Sequence, residues 1–376
     1  MKIGILTQPL HMNYGGILQN YSLQQVLKSL GHDVKTIYYM QTTPYNHYIN
    51  LYSRFLLKYI LRKKVNYKPL TSKEVDYMET YTNQFITKNI ALTHKMYWID
   101  KSVQTDYEFD AYIVGSDQVW HPRSFPHIED LFCRFVQDPK IKKIAYAASF
   151  GIDHWLYSKK QTLECAQLAK QFNAVSVRET SGVTLCNKYL GVNAKRVLDP
   201  TMLLKSSEYN TLITSVTKRE EKSMIVYFLD ITPEKEKIAQ YISQKLNLKI
   251  VYISNPNMDN KLLSYKKRIA LPVEDWLEGY NSSSFVLTDS FHGTVFSIIY
   301  NLPFLSIGNI KRGVTRFETI LELFQLNDRL LNIDNEIDWI KIDRIINEHI
   351  DYSRINEIIE KEKEESITFL KESLDN

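Results

Sequence analysis

Short apolar runs alternate with amphipathic stretches along most of this chain, and the alternation predicts strands and helices in turn. Residues 2–7 have the length and composition of a buried strand. The polar turn His11-Met12-Asn13-Tyr14-Gly15-Gly16 follows, and 17–30 then carries helical spacing closed by Gly31, a residue suited to a left-handed C-cap. Residues 32–38 give the next strand. Further strands are predicted at 110–114, 144–148, 174–177 and 196–198, with helices at 158–172 and from 180 to about 190. Polar loops follow the strands. This order predicts a parallel sheet with helices on both faces.

The pattern repeats after a polar stretch, 206–222, that reads as a linker. Strands at 224–228 and 249–253, a run ending at 285–287 and a strand at 302–307 alternate with helices at 233–246 and 273–280. The charged stretch 336–374 has helical spacing and either closes the second unit or crosses back onto the first. The expected division is an N-terminal Rossmann-like domain over 1–205 with an irregular insert at 40–105, a C-terminal Rossmann-like domain over 222–335, and a helical tail over 336–376. Two such α/β halves facing across a cleft resemble the GT-B architecture. The turn at 11–16 lacks the GxGxxG spacing of dinucleotide sites.

Composition narrows the partners. At 376 residues with 44% hydrophobic and 24% charged residues, two globular domains are the natural expectation. The formal charge of +4 is mild and the lysines are dispersed, so no nucleic-acid face is expected. Cys133, Cys165 and Cys186 lack CxxC spacing, which argues against a disulfide framework or zinc site and suits a reducing, cytoplasmic compartment. The first residues read as a strand rather than a signal peptide. Within 48–64, Asn50, Arg54, Lys58 and Arg62 recur at four-residue spacing on an aromatic-rich helical pattern. Such a stripe either contacts an anionic membrane surface, at the inner face of the cell membrane, or packs on its own protein.

The densest chemistry lies at Thr288-Asp289-Ser290-Phe291-His292-Gly293-Thr294, between an apolar strand and an apolar helix. This elbow sets an imidazole and the hydroxyls of Ser290 and Thr294 at the C-terminal edge of a sheet, where open α/β folds bind ligands. A helix N-terminus there offers N–H groups to an anion. His292 is either a general acid/base or a core histidine.

Six blocks in order resemble the polysaccharide pyruvyl transferase family. They are Asn13-Tyr14-Gly15-Gly16 with Gln19-Asn20-Tyr21-Ser22-Leu23; 110–120 (DAYIVGSDQVW); 145–151 (AYAASFG); Ser176-Val177-Arg178-Glu179 with Ser181-Gly182; Leu198-Asp199-Pro200-Thr201; and Asp289-Ser290-Phe291-His292-Gly293. The resemblance implies a GT-B-like fold and transfer of a pyruvyl group from phosphoenolpyruvate to two hydroxyls of a sugar as a ketal. It also implies a role in bacterial surface polysaccharides such as capsule or exopolysaccharide. The family histidine maps onto His292 and the family arginine after the mid-chain strand onto Arg178. One position departs: better-described members carry Arg two residues before the histidine, where this chain has Ser290.

Ketal formation needs an acid/base, an anion pocket and groups that position a diol, with no metal or separate cofactor. His292 is the acid/base candidate, with Asp117 as a second base or a hydrogen-bond acceptor for sugar hydroxyls. Arg178 is the expected anion clamp, or else part of an ion-pair network. Ser290, Gly293 and Thr294 are placed at a phosphate, or act only as a cap. Lys311, Arg312 and Arg316 are substitutes for the missing arginine. Asn13, Tyr14, Gly15 and Gly16 are expected to line the side that takes a sugar or lipid-linked oligosaccharide acceptor. Asp199-Pro200-Thr201 reads as a domain-junction turn without a chemical role. Two other readings remain: a GT-B glycosyltransferase with a nucleotide-sugar donor, and a non-catalytic glycan-binding relative.

Overall fold

In a computed structural model, the described residues are 1–39, 70–122, 125, 127–214, 222–258, 260–308, 313–333 and 336–375. The basic stripe with Arg54, Lys58 and Arg62, the rest of 48–64, and Lys311 and Arg312 lie outside them.

The first half runs β1 (Lys2–Leu6), α1 (Tyr14–Ser29), β2 (Asp33–Thr36), α2 (Ser72–Met78), α3 (Thr80–Asn89), α4 (Ser102–Tyr107), β3 (Ala111–Val114), β4 (Lys142–Ala148), α5 (Lys159–Ala169), β5 (Ala174–Val177), α6 (Thr180–Leu185) and β6 (Lys195–Arg196). After α7 (Ser206–Asn210) come β7 (Ser223–Tyr227), α8 (Pro233–Leu246), β8 (Lys249–Tyr252), α9 (Val273–Ser282), β9 (Phe285–Thr288), α10 (Phe291–Ile299), β10 (Phe304–Ile307), α11 (Thr315–Leu323), β11 (Leu330–Leu331), α12 (Trp339–Asn347) and α13 (Tyr352–Asp375). The strands form two separate sheets, in orders β2-β1-β3-β4-β5-β6 and β11-β10-β9-β7-β8. Every strand pairing in both is parallel. This is the expected α/β architecture of two Rossmann-like sheets in a GT-B-like pairing.

Each sheet is apolar on both faces, as crossover helices require. In the second sheet, Met224 and Val226 face α8 residues Ile238, Ala239 and Ile242. Ile225 and Tyr227, one residue out of phase, join a core shared with Ile3, Ile5, Tyr14 and Ile144 of the first half. A single apolar cluster therefore runs through both halves. Tyr14 crosses between the halves: its ring stacks on Trp276 at 5.8 Å and its hydroxyl donates to the Leu271 carbonyl.

The C-terminal segment does both things its sequence allowed. Ile342 and Ile345 of α12 are buried against the second sheet's core. Helix α13 then crosses to the first half, where Glu362 takes Arg196 Nη2 at 2.6 Å and the Ser366 hydroxyl accepts from the Leu198 amide at 3.0 Å. Lys142 Nζ donates to the Leu374 carbonyl. Helices α2 and α3, in the stretch expected to be irregular, also bridge the halves, since the Ala270 amide donates to the Met78 carbonyl.

Candidate active site at the paired switch points

In each sheet the strand order reverses once, between β1 and β3 in the first and between β7 and β9 in the second. At such a point the crossover helices depart to opposite faces, and the loops after the two strands diverge to leave a crevice. The register sets Leu6 beside Val114 and Tyr227 beside Thr288, so in each sheet the paired strands end level. Both crevices open into one cleft of about 510 Å³. Gln8, His11, Met12 and Asn13 come from the loop after β1, and Asp117, Gln118 and His121 from the loop after β3. Tyr227, Leu229, Asp289, Ser290, Phe291 and His292 come from the opposite half, with Arg316 and Phe317 from α11.

Buried side-chain amides and carboxylates hold these loops. Gln19 of α1 donates to the Thr7 hydroxyl and the Gly16 carbonyl and accepts from the Ser116 amide. One side chain thus ties the loops after β1 and β3 together. Asp117 adopts a left-handed backbone (φ 66°), a conformation that aspartate tolerates better than most residues, and its carbonyl accepts from the Val119 and Ser149 amides. Across the cleft, Asp289 accepts from the Leu229 and Asp230 amides and pairs with Lys235 Nζ at 2.5 Å. It therefore holds the loop after β7 against the elbow.

The elbow forms as its sequence implies. Ser290 is the N-cap of α10, and its hydroxyl accepts from the Gly293 amide at 3.4 Å. A β-carbon at Gly293 would lie 2.1 Å from Thr288 Oγ1, so only glycine lets the helix start this close to the strand end. The Thr294 hydroxyl points away from the cleft, bonded to the Ser290 carbonyl and at 2.6 Å from the Ser306 hydroxyl. Gly293 and Thr294 are thus helix-building residues behind the wall, and Ser290 and His292 are on it.

Behind His292 lies a cluster of buried charges. Arg178 Nη1 donates to Asp199 Oδ2 at 2.6 Å, its Nη2 to Asp117 Oδ1 at 3.4 Å, and its Nε is 3.5 Å from Glu179 Oε1. Arg178 is 4% exposed and off the cleft wall. The expected anion clamp is therefore corrected: three carboxylates already take up its charge, and it is the strut of an ion-pair network. Burial penalises the guanidinium, yet Asp199, Glu179 and Asp117 reverse this and raise its pKa. Burial likewise works against the Asp199 carboxylate. His292, Arg178 and Thr201 outweigh it and hold its pKa well below the usual range. Asp117 is also held low against its own burial, by Arg178, His292 and Arg316.

Among the described residues, Arg316 is the guanidinium that lines the cleft. With the Gln118 amide oxygen turned toward it, both terminal nitrogens donate to that oxygen, at 3.0 and 3.1 Å. Its guanidinium carbon lies 5.6 Å from the Phe291 ring centre, and that of Arg178 lies 4.4 Å from the same ring. Arg316 enters the cleft from the start of α11.

The acceptor-side expectations divide. Asn13 lines the cleft. Tyr14 does not, because its whole ring is spent on the inter-domain core. Gly15 and Gly16 are buried as well. A β-carbon on Gly15 would sit 2.0 Å from His292 Nδ1, and one on Gly16 would meet Asn13 Nδ2 at 3.1 Å. Gly15 is therefore the seat of the imidazole. Asp199, read from sequence as a turn, sits in the charge cluster. Its Oδ1 accepts from the Thr201 amide and hydroxyl, and its Oδ2 lies 3.7 Å from His292 Nε2. His121 lines the cleft outside every motif block, and Gln118 and His11 line it from within the 110–120 block and the 11–16 turn, where the sequence pointed to no role for them. Among the described residues, no three His, Cys, Asp or Glu side chains converge as a metal site, and no helix is long and apolar enough to cross a membrane.

Two Rossmann-like sheets that share one cleft, with a histidine and buried carboxylates behind it, define a GT-B-like protein with an enzyme-type site. The polysaccharide pyruvyl transferase family model matches residues 13–311, and the chain belongs to that family of transferases. No curated protein matches it in sequence. Among solved structures it is similar to UDP-GlcNAc 2-epimerase from Neisseria meningitidis bound to UDP-GlcNAc, at 12% identity over 100% of this chain and 99% of that one, TM-score 0.49. It is also similar to Arabidopsis thaliana UGT89C1 complexed with UDP, at 12% identity over 98% of each chain, TM-score 0.49. Neither likeness bears on substrate.

Proposed function

We propose that this protein transfers a pyruvyl group from phosphoenolpyruvate to two hydroxyls of one sugar, forming a ketal during surface polysaccharide synthesis. The observation that carries this reading is the meeting of His292, from the second half, with Asp117 and Arg316 at a single cleft fed by both sheets. His292 protonates C3 of the enol phosphate, and C2 becomes electrophilic. One sugar hydroxyl adds to C2 and gives its proton to Asp117 or His292. The second hydroxyl then displaces phosphate from C2 and loses its own proton, so phosphoenolpyruvate and a diol become a ketal and inorganic phosphate. Arg316 and the α10 N-terminus attract the donor's carboxylate and phosphate. Asn13, His11 and His121, on the first half's side of the cleft, meet the sugar, free or lipid-linked.

This chemistry asks nothing of a separate cofactor, and the work is expected at the cytoplasmic side, where phosphoenolpyruvate is made. Incubation with phosphoenolpyruvate and candidate acceptors should release phosphate. His292→Ala should lower that rate by about 10²–10⁴-fold, the usual worth of a general acid/base. Stabilisation by a nucleoside diphosphate and not by phosphoenolpyruvate in a thermal-shift assay would favour a nucleotide-sugar donor instead.

A further inference from the structure

The two ring nitrogens of His292 meet different surroundings. Nε2 is buried and has no hydrogen-bond partner among the described residues, and the group facing it is Asp199 Oδ2 at 3.7 Å. Nδ1 packs toward Gly15, where the missing β-carbon leaves room. Asp199 is fixed on every side. Its Oδ1 is held by Thr201, and its Oδ2 by Arg178 Nη1 at 2.6 Å and by the Ser116 hydroxyl at 3.2 Å. A carboxylate so held repels a nitrogen lone pair and attracts an N–H. In a neutral imidazole the group facing one nitrogen therefore decides which nitrogen bears the proton.

We propose that Asp199 is a positioning residue for His292: it keeps the ring proton on Nε2 and so leaves Nδ1 as the nitrogen that exchanges protons with substrate. The inference rests on the acid/base role given to His292 above. It also gives Gly15 a chemical reason, since any side chain there would displace Nδ1. Asp199 follows β6 of the first half and His292 begins α10 of the second. The tautomer is thus set only where the two halves meet, and neither half sets it alone.

Two measurements on the full chain test this separately. In protein labelled with ¹⁵N-histidine, long-range ¹H–¹⁵N correlation above the imidazole titration range reads the tautomer, with the His292 signal assigned by its loss in His292→Gln. The expected result is Nε2–H in the wild type and a shift toward Nδ1–H in Asp199→Asn. An Nδ1–H ring in the wild type would overturn the proposal, and that reading needs no variant to fold. In turnover, Asp199→Asn should lower kcat by about 10–100-fold, the scale of outer-shell partners, with KM for phosphoenolpyruvate unchanged. An unchanged kcat overturns it as well. If Asp199→Asn does not fold, Thr201→Val loosens the same carboxylate through the loss of one hydrogen bond and should show the smaller shift. A wild type that never releases phosphate would sink the proposed reaction, while the tautomer would still decide the role of Asp199.

Discussion

Arg178 is held by three carboxylates in a space from which water is excluded, and its contribution there is cohesion. Removing one partner of a buried ion pair strands the others, at a cost of about 3–5 kcal/mol. Arg178→Met is expected to lose about that much in urea denaturation. An Arg178→Met protein of undiminished stability with weakened phosphoenolpyruvate binding would restore the clamp role. The same cluster sets an acid limit. Asp117 and Asp199 titrate below their unfolded value in the folded chain. Their stabilisation is full above the ordinary carboxylate pKa of about 3.9 and is lost as pH falls below it toward the folded values. Unfolding free energy should therefore fall steeply below about pH 4, and Asp117→Asn should flatten that fall. The type of residue needed at the elbow was readable from its sequence. That Arg178 is saturated was not, because its partners Asp117 and Asp199 lie 61 and 21 residues away along the chain.

At the scale of elements, the elbow between β9 and α10 is the most constrained junction. Gly293→Ala would press a methyl group onto Thr288, and overpacking of this kind costs about 1–3 kcal/mol. Thermal denaturation of Gly293→Ala should show that loss, and an unchanged midpoint would mean that α10 can shift away from β9. Arg316 belongs to this scale too. It reaches the cleft because α11 packs on α10, through Phe291 against Phe317 with ring centres 6.3 Å apart. Arg316→Ala is expected to raise KM for phosphoenolpyruvate more than it lowers kcat, in the phosphate-release assay. The reverse split would place Arg316 at the transition state and not in ground-state binding. Strand and helix positions followed from periodicity alone, and the predicted helix at 233–246 coincides with α8. The short helices α2 and α3 escaped notice because their burial comes from elements distant along the chain, as with Phe85 against Tyr21 of α1 at 6.2 Å.

For the whole molecule, α13 is the strap that returns from the second half to the first. Leu370 is fully buried in the core that both halves share. Leu370→Ala should cost about 2–5 kcal/mol and expose the junction after β6 to limited proteolysis. Loss of stability confined to the second half, with the first half's protection unchanged, would contradict the strap. The shared core joins the two walls of the cleft: Tyr14, at the start of α1, is stacked on Trp276 of α9 with ring centres 5.8 Å apart.

The sequence by itself determined the alternation of strand and helix, the parallel sheets, the family and the elbow that carries His292. The family follows from the six ordered motif blocks, and the rest from periodicity and local turn chemistry, both of which act over a few residues. Tertiary structure decided which charges meet. It turned Arg178 inward, brought Arg316 to the cleft, and set Asp199 and Gly15 on either side of one imidazole. The energy of a buried charge depends on what lies within a few ångströms of it, and chain folding alone brings residues distant in sequence to that range.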